Sequence, residues 1–130
     1  MKCKMNQYQD LIMNGELTEI VKKPWGSYQV LMDSNSFKVK HLIVNPKEKL
    51  SLQSHELRSE HWIITEGEAT ITLGDATFFL KKDDQIYIPK KTKHCVENQG
   101  KTTLEFIEVQ NGSYLGEDDI VRYEDIYGRV

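Results

Sequence analysis

From Pro24 onward, apolar and polar residues alternate over short runs, and each run ends in a cluster of turn-forming residues. Successive side chains of an extended strand point to opposite faces, so this pattern predicts strands with one buried face. Residues 27–32 make the first run, closed by Asp33-Ser34-Asn35-Ser36, and residues 37–44 the second, turned by Asn45-Pro46. Further strands are predicted over 50–55, 62–65, 69–73, 76–80, 85–88, 94–97 and 103–110. Gly74-Asp75 has the chemistry of a tight hairpin turn, Glu66-Gly67-Glu68 closes another run, and Pro89 ends a third. Short strands at this spacing predict a sandwich or barrel. Helical patterning is confined to the ends. Residues 5–13 can form one or two turns stopped by Asn14-Gly15, and the acidic, amphipathic stretch 118–127 predicts a short helix laid over one end of the barrel. The expected organisation is an N-terminal arm over residues 1–21 and a single all-β domain over 22–130, with short peripheral helices at the N- and C-termini.

Composition narrows the picture. A chain of 130 residues with 38% hydrophobic and 28% charged residues is of the size and balance of one globular domain. Its net charge of -3 argues against a general nucleic-acid partner. No apolar run is long enough to span a membrane, and Asn6, Gln7, Gln9, Asp10 and Asn14 interrupt any signal-peptide core in residues 1–20. Two cysteines, Cys3 and Cys95, make no disulfide framework, so the cytoplasm is the expected compartment.

Candidate chemistry concentrates in one stretch. Period two along residues 50–55 puts Gln53 and His55 on one face with Ser51, and on the returning strand Glu60, Trp62 and Ile64 share a face while His61 takes the other. His94 opens a later strand and can close the set. An amide oxygen, two imidazoles and a carboxylate are ordinary donors to a divalent cation; zinc is the first choice, with manganese, iron and cobalt also compatible. Cys95 should face away from His94 and is not counted as a ligand. His41 and His61 read as surface or interface residues, and Trp25 and Trp62 as packing residues.

Gln53-x-His55-x4-Glu60-x6-Gly67 resembles the first cupin motif, with Gln53 where many members carry a histidine, and Pro89-x-Lys91-x2-His94-x3-Asn98 resembles the second. The fold this resemblance implies is a cupin jelly-roll barrel. Lys23-Pro24-Trp25-Gly26-Ser27-Tyr28, Phe37-Lys38-Val39-Lys40, Leu50-Ser51-Leu52-Gln53, Arg58-Ser59-Glu60-His61-Trp62, Tyr87-Ile88-Pro89, Ile107-Glu108-Val109-Gln110 and the block from Gly112 to Arg122 are similar to successive blocks of a narrower family. That family is the type II phosphomannose isomerases, the C-terminal half of bifunctional mannose-1-phosphate guanylyltransferase/mannose-6-phosphate isomerases. The resemblance covers roughly residues 22–129. These residues hold no Gly-rich nucleotide loop, so guanylyltransferase activity is not expected of them. Leu57 stands where the family has a histidine. Lys47, Asp83 and Lys91 stand where cupins have glycine, which is tolerable if the backbone there avoids positive φ.

The resemblance implies interconversion of mannose 6-phosphate and fructose 6-phosphate through an enediol. Such chemistry needs a base near the carbon that loses its proton and positive charge near the oxygen that gains electrons. Glu108 is the candidate base if it faces inward. Arg122, in the C-terminal block, is a candidate clamp for an anionic oxygen or phosphate, and Arg58 and Lys91 are candidates for a basic substrate-binding rim. The barrel is equally compatible with an isomerase or epimerase acting on another sugar phosphate or nucleotide sugar, or with a non-catalytic sugar-binding module. Apolar residues on the expected outer face, such as Ile63, point to a homodimer.

Overall fold

The computed structural model describes residues 19–130. Among the described residues eleven strands form two antiparallel sheets: β1 (Ile20–Lys23), β2 (Gly26–Asp33), β3 (Phe37–Val44), β4 (Leu52–Ser54), β5 (Arg58–Glu66), β6 (Glu68–Leu73), β7 (Ala76–Lys81), β8 (Gln85–Ile88), β9 (His94–Glu97), β10 (Leu104–Gly112) and β11 (Val121–Glu124). One sheet runs β1-β2-β3-β10-β5-β8 and the other β11-β4-β9-β6-β7. This is an all-β architecture of the sandwich-or-barrel kind that the strand spacing predicts, in the jelly-roll form that the cupin resemblance implies.

The interior has an apolar end and a polar end, and register makes the division. Along β10 the inward positions are Leu104 and Phe106, then Glu108 and Gln110. On β3, Val44 and Leu42 lie opposite the apolar pair and Lys40 lies opposite Glu108. On β5, Ile64 pairs with Phe106, Trp62 with Glu108, and Glu60 with Gln110. Adjacent strands therefore change from apolar to polar at nearly the same level. Ile71, Val96, Ala69, Ile88 and Trp25 complete the apolar end. That cluster holds the barrel shut, while the polar end leaves functional groups inside the walls.

The segment over 118–127, expected as a helix, contains strand β11 instead. Val121 pairs with Ser54 and Arg122 with Gln53 along the edge of β4. That edge otherwise exposes unpaired backbone groups, and Val121 and Tyr123 suit an extended chain. Strand β1, which pairs with β2, is likewise additional to the predicted set. The N-terminal helix expected over residues 5–13 lies outside the described residues.

Lys47, Asp83 and Lys91 do not avoid positive φ: they adopt 68°, 77° and 63°. Each donates its amide across the fold, Lys47 to Asn98 O at 2.8 Å, Asp83 to Ile64 O at 2.9 Å and Lys91 to His55 O at 2.7 Å. Those bonds hold a conformation that costs an L side chain roughly 1 kcal/mol. Lys47→Gly, Asp83→Gly and Lys91→Gly are each expected to raise stability by up to about 1 kcal/mol, read as a higher urea midpoint. A lower midpoint in all three would contradict the strain. Gly67 is different: its φ is +79°, and a Cβ there would lie 2.5 Å from Thr103 O, so no side chain fits.

Candidate functional site

The polar end of the barrel encloses a cavity lined by Gln53, His55, Arg58, Glu60, Trp62, His94, Glu108 and Arg122, among others. Gln53 on β4 lies directly between His94 on β9 and Arg122 on β11. Short pairing between sheet edges, rather than sequence proximity, brings these groups together.

Both imidazoles have their tautomers fixed by backbone carbonyls. His55 Nδ1 is 2.7 Å from Asp119 O, and His94 Nδ1 is 2.9 Å from Thr92 O. A carbonyl can only accept, so each Nδ1 carries the proton and each Nε2 offers a lone pair. Burial, followed by the Arg58 charge, lowers the pKa of His55 to about 4; burial also lowers that of His94. Both are therefore neutral near pH 7, as ligand imidazoles must be.

Glu60 faces these lone pairs. His55 Nε2 is 3.3 Å from Glu60 Oε2, and His94 Nε2 is 3.9 Å from Glu60 Oε1. Ligand atoms of His55, Glu60 and His94 all lie within 4.8 Å of one another. Two imidazole acceptors and a carboxylate converging inside a protein repel unless positive charge stands among them. Arg58 supplies part of it, donating from Nε to Glu60 Oε2 at 2.8 Å and from Nη2 to His55 Nε2 at 3.3 Å. A divalent cation fits the donor set of His55, Glu60 and His94, and the Gln53 side chain lines the same cavity.

Glu108 does face inward and is buried. Its Oε1 accepts from Trp62 Nε1 at 3.1 Å and its Oε2 from Gln110 Nε2 at 3.1 Å. The same indole N–H reaches Glu60 Oε1 at 3.0 Å, so Trp62 bridges the two carboxylates as well as packing on Phe106. Burial, and then the nearby Glu60 carboxylate, push the pKa of Glu108 up to about 7. Arg122 lines the cavity, and its buried Nε finds no hydrogen-bond partner among the described residues.

Lys91 departs from the expected rim. Its side chain is exposed and is not part of the cavity lining; its contribution is the backbone bond to His55. Leu57, 44% exposed, also lies outside the lining, so the loss of a histidine there removes no wall of the cavity. Cys95 bonds Leu50 O at 3.2 Å and is absent from the lining.

Sequence reasoning missed Lys40, Tyr28, Lys23 and Arg129, all of which line the cavity, and Asp119, which holds the His55 loop. Asp119 accepts His55 Nδ1 on its carbonyl and the amides of Glu56 and Leu57, each at 3.0 Å, on its carboxylate. Lys40 had a signal. Carrying the parity of Val44 and Leu42 one step further back along β3 puts Lys40 inside the barrel.

Comparison with known proteins gives the fold and the family. The cupin domain of Schizosaccharomyces pombe Cnp3 shares the fold, with a TM-score of 0.62 at 17% identity, covering 66% of this chain and 64% of that one. The alginate biosynthesis protein AlgA of Pseudomonas aeruginosa is 52% identical over 110 residues, 85% of this chain and 23% of AlgA. The mannose-1-phosphate guanylyltransferase ManC of Salmonella typhimurium is 46% identical over 110 residues, again 85% of this chain and 23% of the relative. The chain thus spans under a quarter of the length of these relatives. The model of the mannose-6-phosphate isomerase C-terminal family matches residues 13–125, nearly the whole length, and the chain belongs to that family.

Proposed function

We propose that this domain is a metal-dependent sugar-phosphate isomerase that interconverts mannose 6-phosphate and fructose 6-phosphate. The observation that carries the reading is the convergence of His55, Glu60 and His94 in one cavity with the inward-facing Glu108. Gln53, His55, Glu60 and His94 would hold a divalent cation, zinc before manganese, iron or cobalt. Such a cation supplies Lewis acidity, which stabilises negative charge developing beside it.

The protein's own groups divide the remaining work. The Glu108 carboxylate takes the proton from C2 of the aldose. The C–H electrons form the C1–C2 double bond as the C1 carbonyl oxygen takes a proton from water, giving the enediol. The C2 hydroxyl then gives its proton back to water, its O–H electrons form the new carbonyl, and the double-bond electrons take the proton from Glu108 at C1. A carboxyl with a pKa near 7 suits this exchange, because both of its protonation states are accessible at neutral pH. Trp62 holds Glu108 and Glu60 in register, while Arg58 and Arg122 place positive charge on the cavity wall for anionic oxygens.

Incubation with mannose 6-phosphate in heavy water tests the reading. Deuterium should enter the sugar phosphate at the exchanging carbon as fructose 6-phosphate forms. Exchange with other sugar phosphates or nucleotide sugars alone would move the assignment to a related isomerase or epimerase. No exchange with any of them would leave a sugar-binding module.

Two copies of the chain are part of the same proposal. The outer face of the larger sheet carries Ile63, 41% exposed, and Tyr87, 48% exposed, with the His61 ring 4.7 Å from that of Tyr87. Sedimentation is expected to show a dimer, and a monomer at all concentrations would remove this face as an interface.

A further inference from the structure

We propose that Lys40 and Lys23, set around the Tyr28 ring, form an anion subsite of the cavity, and that Glu117 is its resident carboxylate, displaced when a phosphate group enters. The inference rests on reading the cavity as a sugar-phosphate site, and it adds which residues take the phosphate and what must leave first.

Lys40 is the unusual residue. It is only 3% exposed, although lysine is almost never buried without a partner. Its ammonium lies 4.2 Å from the centroid of the Tyr28 ring, and Lys23 Nζ lies 5.9 Å from the same centroid. Two cations therefore face one aromatic ring on the cavity wall. The carboxylate of Glu117 ion-pairs with Lys40. Its side chain is 52% exposed against 4% for that of Lys40. The lysine is thus fixed inside the wall, while its counter-ion reaches in from solvent.

The chain around Glu117 is tied on both sides of it. Leu115 O accepts Lys38 Nζ at 3.0 Å, and Asp119 holds the amides of Glu56 and Leu57. The displacement proposed is a rotation of the half-exposed Glu117 side chain, with the backbone left in place. The cavity needs such a change. Its free space is about 80 Å³, against about 300 Å³ at the small end of pockets that hold small molecules.

Charge favours the exchange. Lys23, Lys40, Arg58, Arg122 and Arg129 line the cavity against the carboxylates of Glu60, Glu108 and Glu117. The cations already outnumber the carboxylates; withdrawing Glu117 widens the excess, and a dianionic phosphate more than replaces the lost charge, with stronger hydrogen-bond acceptors.

Calorimetric titration of inorganic phosphate into the full chain tests the proposal. Glu117→Gln removes the competing charge and is expected to tighten phosphate binding about tenfold. Lys40→Met is expected to weaken it about tenfold or more; Glu117 is then unpaired but already half in water, so the fold is kept. Should Glu117→Gln unfold because Lys40 loses its partner, Glu117→Asp withdraws the carboxylate by one methylene and should still tighten binding. Unchanged or weaker phosphate affinity in the folded Glu117 variant, or unchanged affinity in Lys40→Met, overturns the subsite. The isomerase reading stands or falls separately on deuterium exchange, which is measured without reference to phosphate affinity.

Discussion

Glu60→Ala is expected to strip the divalent cation and to destabilise the domain at the same time. Glu60 is 1% exposed and is the carboxylate onto which both lone-pair imidazoles converge. Without it, two neutral imidazoles and an amide remain as donors, too little charge to hold a divalent ion against the Arg58 guanidinium. Arg58 would also lose the acceptor at 2.8 Å from its Nε. Removing one partner of a buried ion pair typically costs about 3–5 kcal/mol, because the other charge stays behind. Glu108 is nearby and the cavity admits water, so the low end of that range is expected. Trp62 is less affected, since its N–H retains Glu108 at 3.1 Å. Elemental analysis should find less than about a tenth of the wild-type metal, and the urea midpoint should fall. His94→Ala should lose the metal with a smaller fall in stability, because no ion pair is broken. Full metal occupancy in either variant would refute the ligand assignment.

Glu108→Gln is expected to have the opposite profile: metal retained, fold intact and proton exchange lost. The glutamine side chain has the same shape, but an amide cannot take a proton from carbon. Removing a general base of this kind costs about 10²–10⁴-fold in rate. The fold should tolerate the change because Gln110 can answer it. Gln110 Oε1 is buried without a hydrogen-bond partner among the described residues, while its Nε2 donates to Glu108 Oε2. Rotating that amide by half a turn lets its oxygen accept from the new Nε2 at position 108. In metal-stripped protein the substitution should also alter the pH dependence of stability. The pKa of Glu108 rises from 4.5 to about 7 on folding. Its contribution is fully present below pH 4.5 and is lost as pH rises through about 7. Glu108→Gln should therefore compare better with wild type at pH 8 than at pH 4. Wild-type deuterium exchange in this variant would move the role of base to another residue.

Legibility in the sequence followed the local signals. β3, β8 and β9 have the bounds that alternation and turn residues predict, and Gly74-Asp75 does join β6 to β7. Those features depend on neighbours in the chain. β11 depends on the free edge of β4, more than sixty residues away, and its apolar residues fit a helical period as readily as an extended one. The hydrophobic pattern itself misleads at the polar end. On β10 the apolar Ile107 and Val109 point outward, while Glu108 and Gln110 point in. On β3, Val39 is less buried than Lys40. A rule that puts apolar residues inside inverts both strands there; parity carried from the apolar end assigns them correctly. His55, Glu60 and His94 were legible because their spacing carries chemistry, whereas Lys40 and Glu117 meet only in the folded chain. At Lys47, Asp83 and Lys91 the glycines that cupins carry marked the turns, but the side chains present here suggested a negative φ that the backbone does not adopt.

The account depends most on a single cation held by Gln53, His55, Glu60 and His94. A crystal of the full chain soaked in manganese, with anomalous diffraction recorded at the metal edge, measures this directly. The prediction is one strong peak per chain, enclosed by those four side chains and beside Glu108. A map with no peak there, or with peaks only among surface carboxylates, would contradict it.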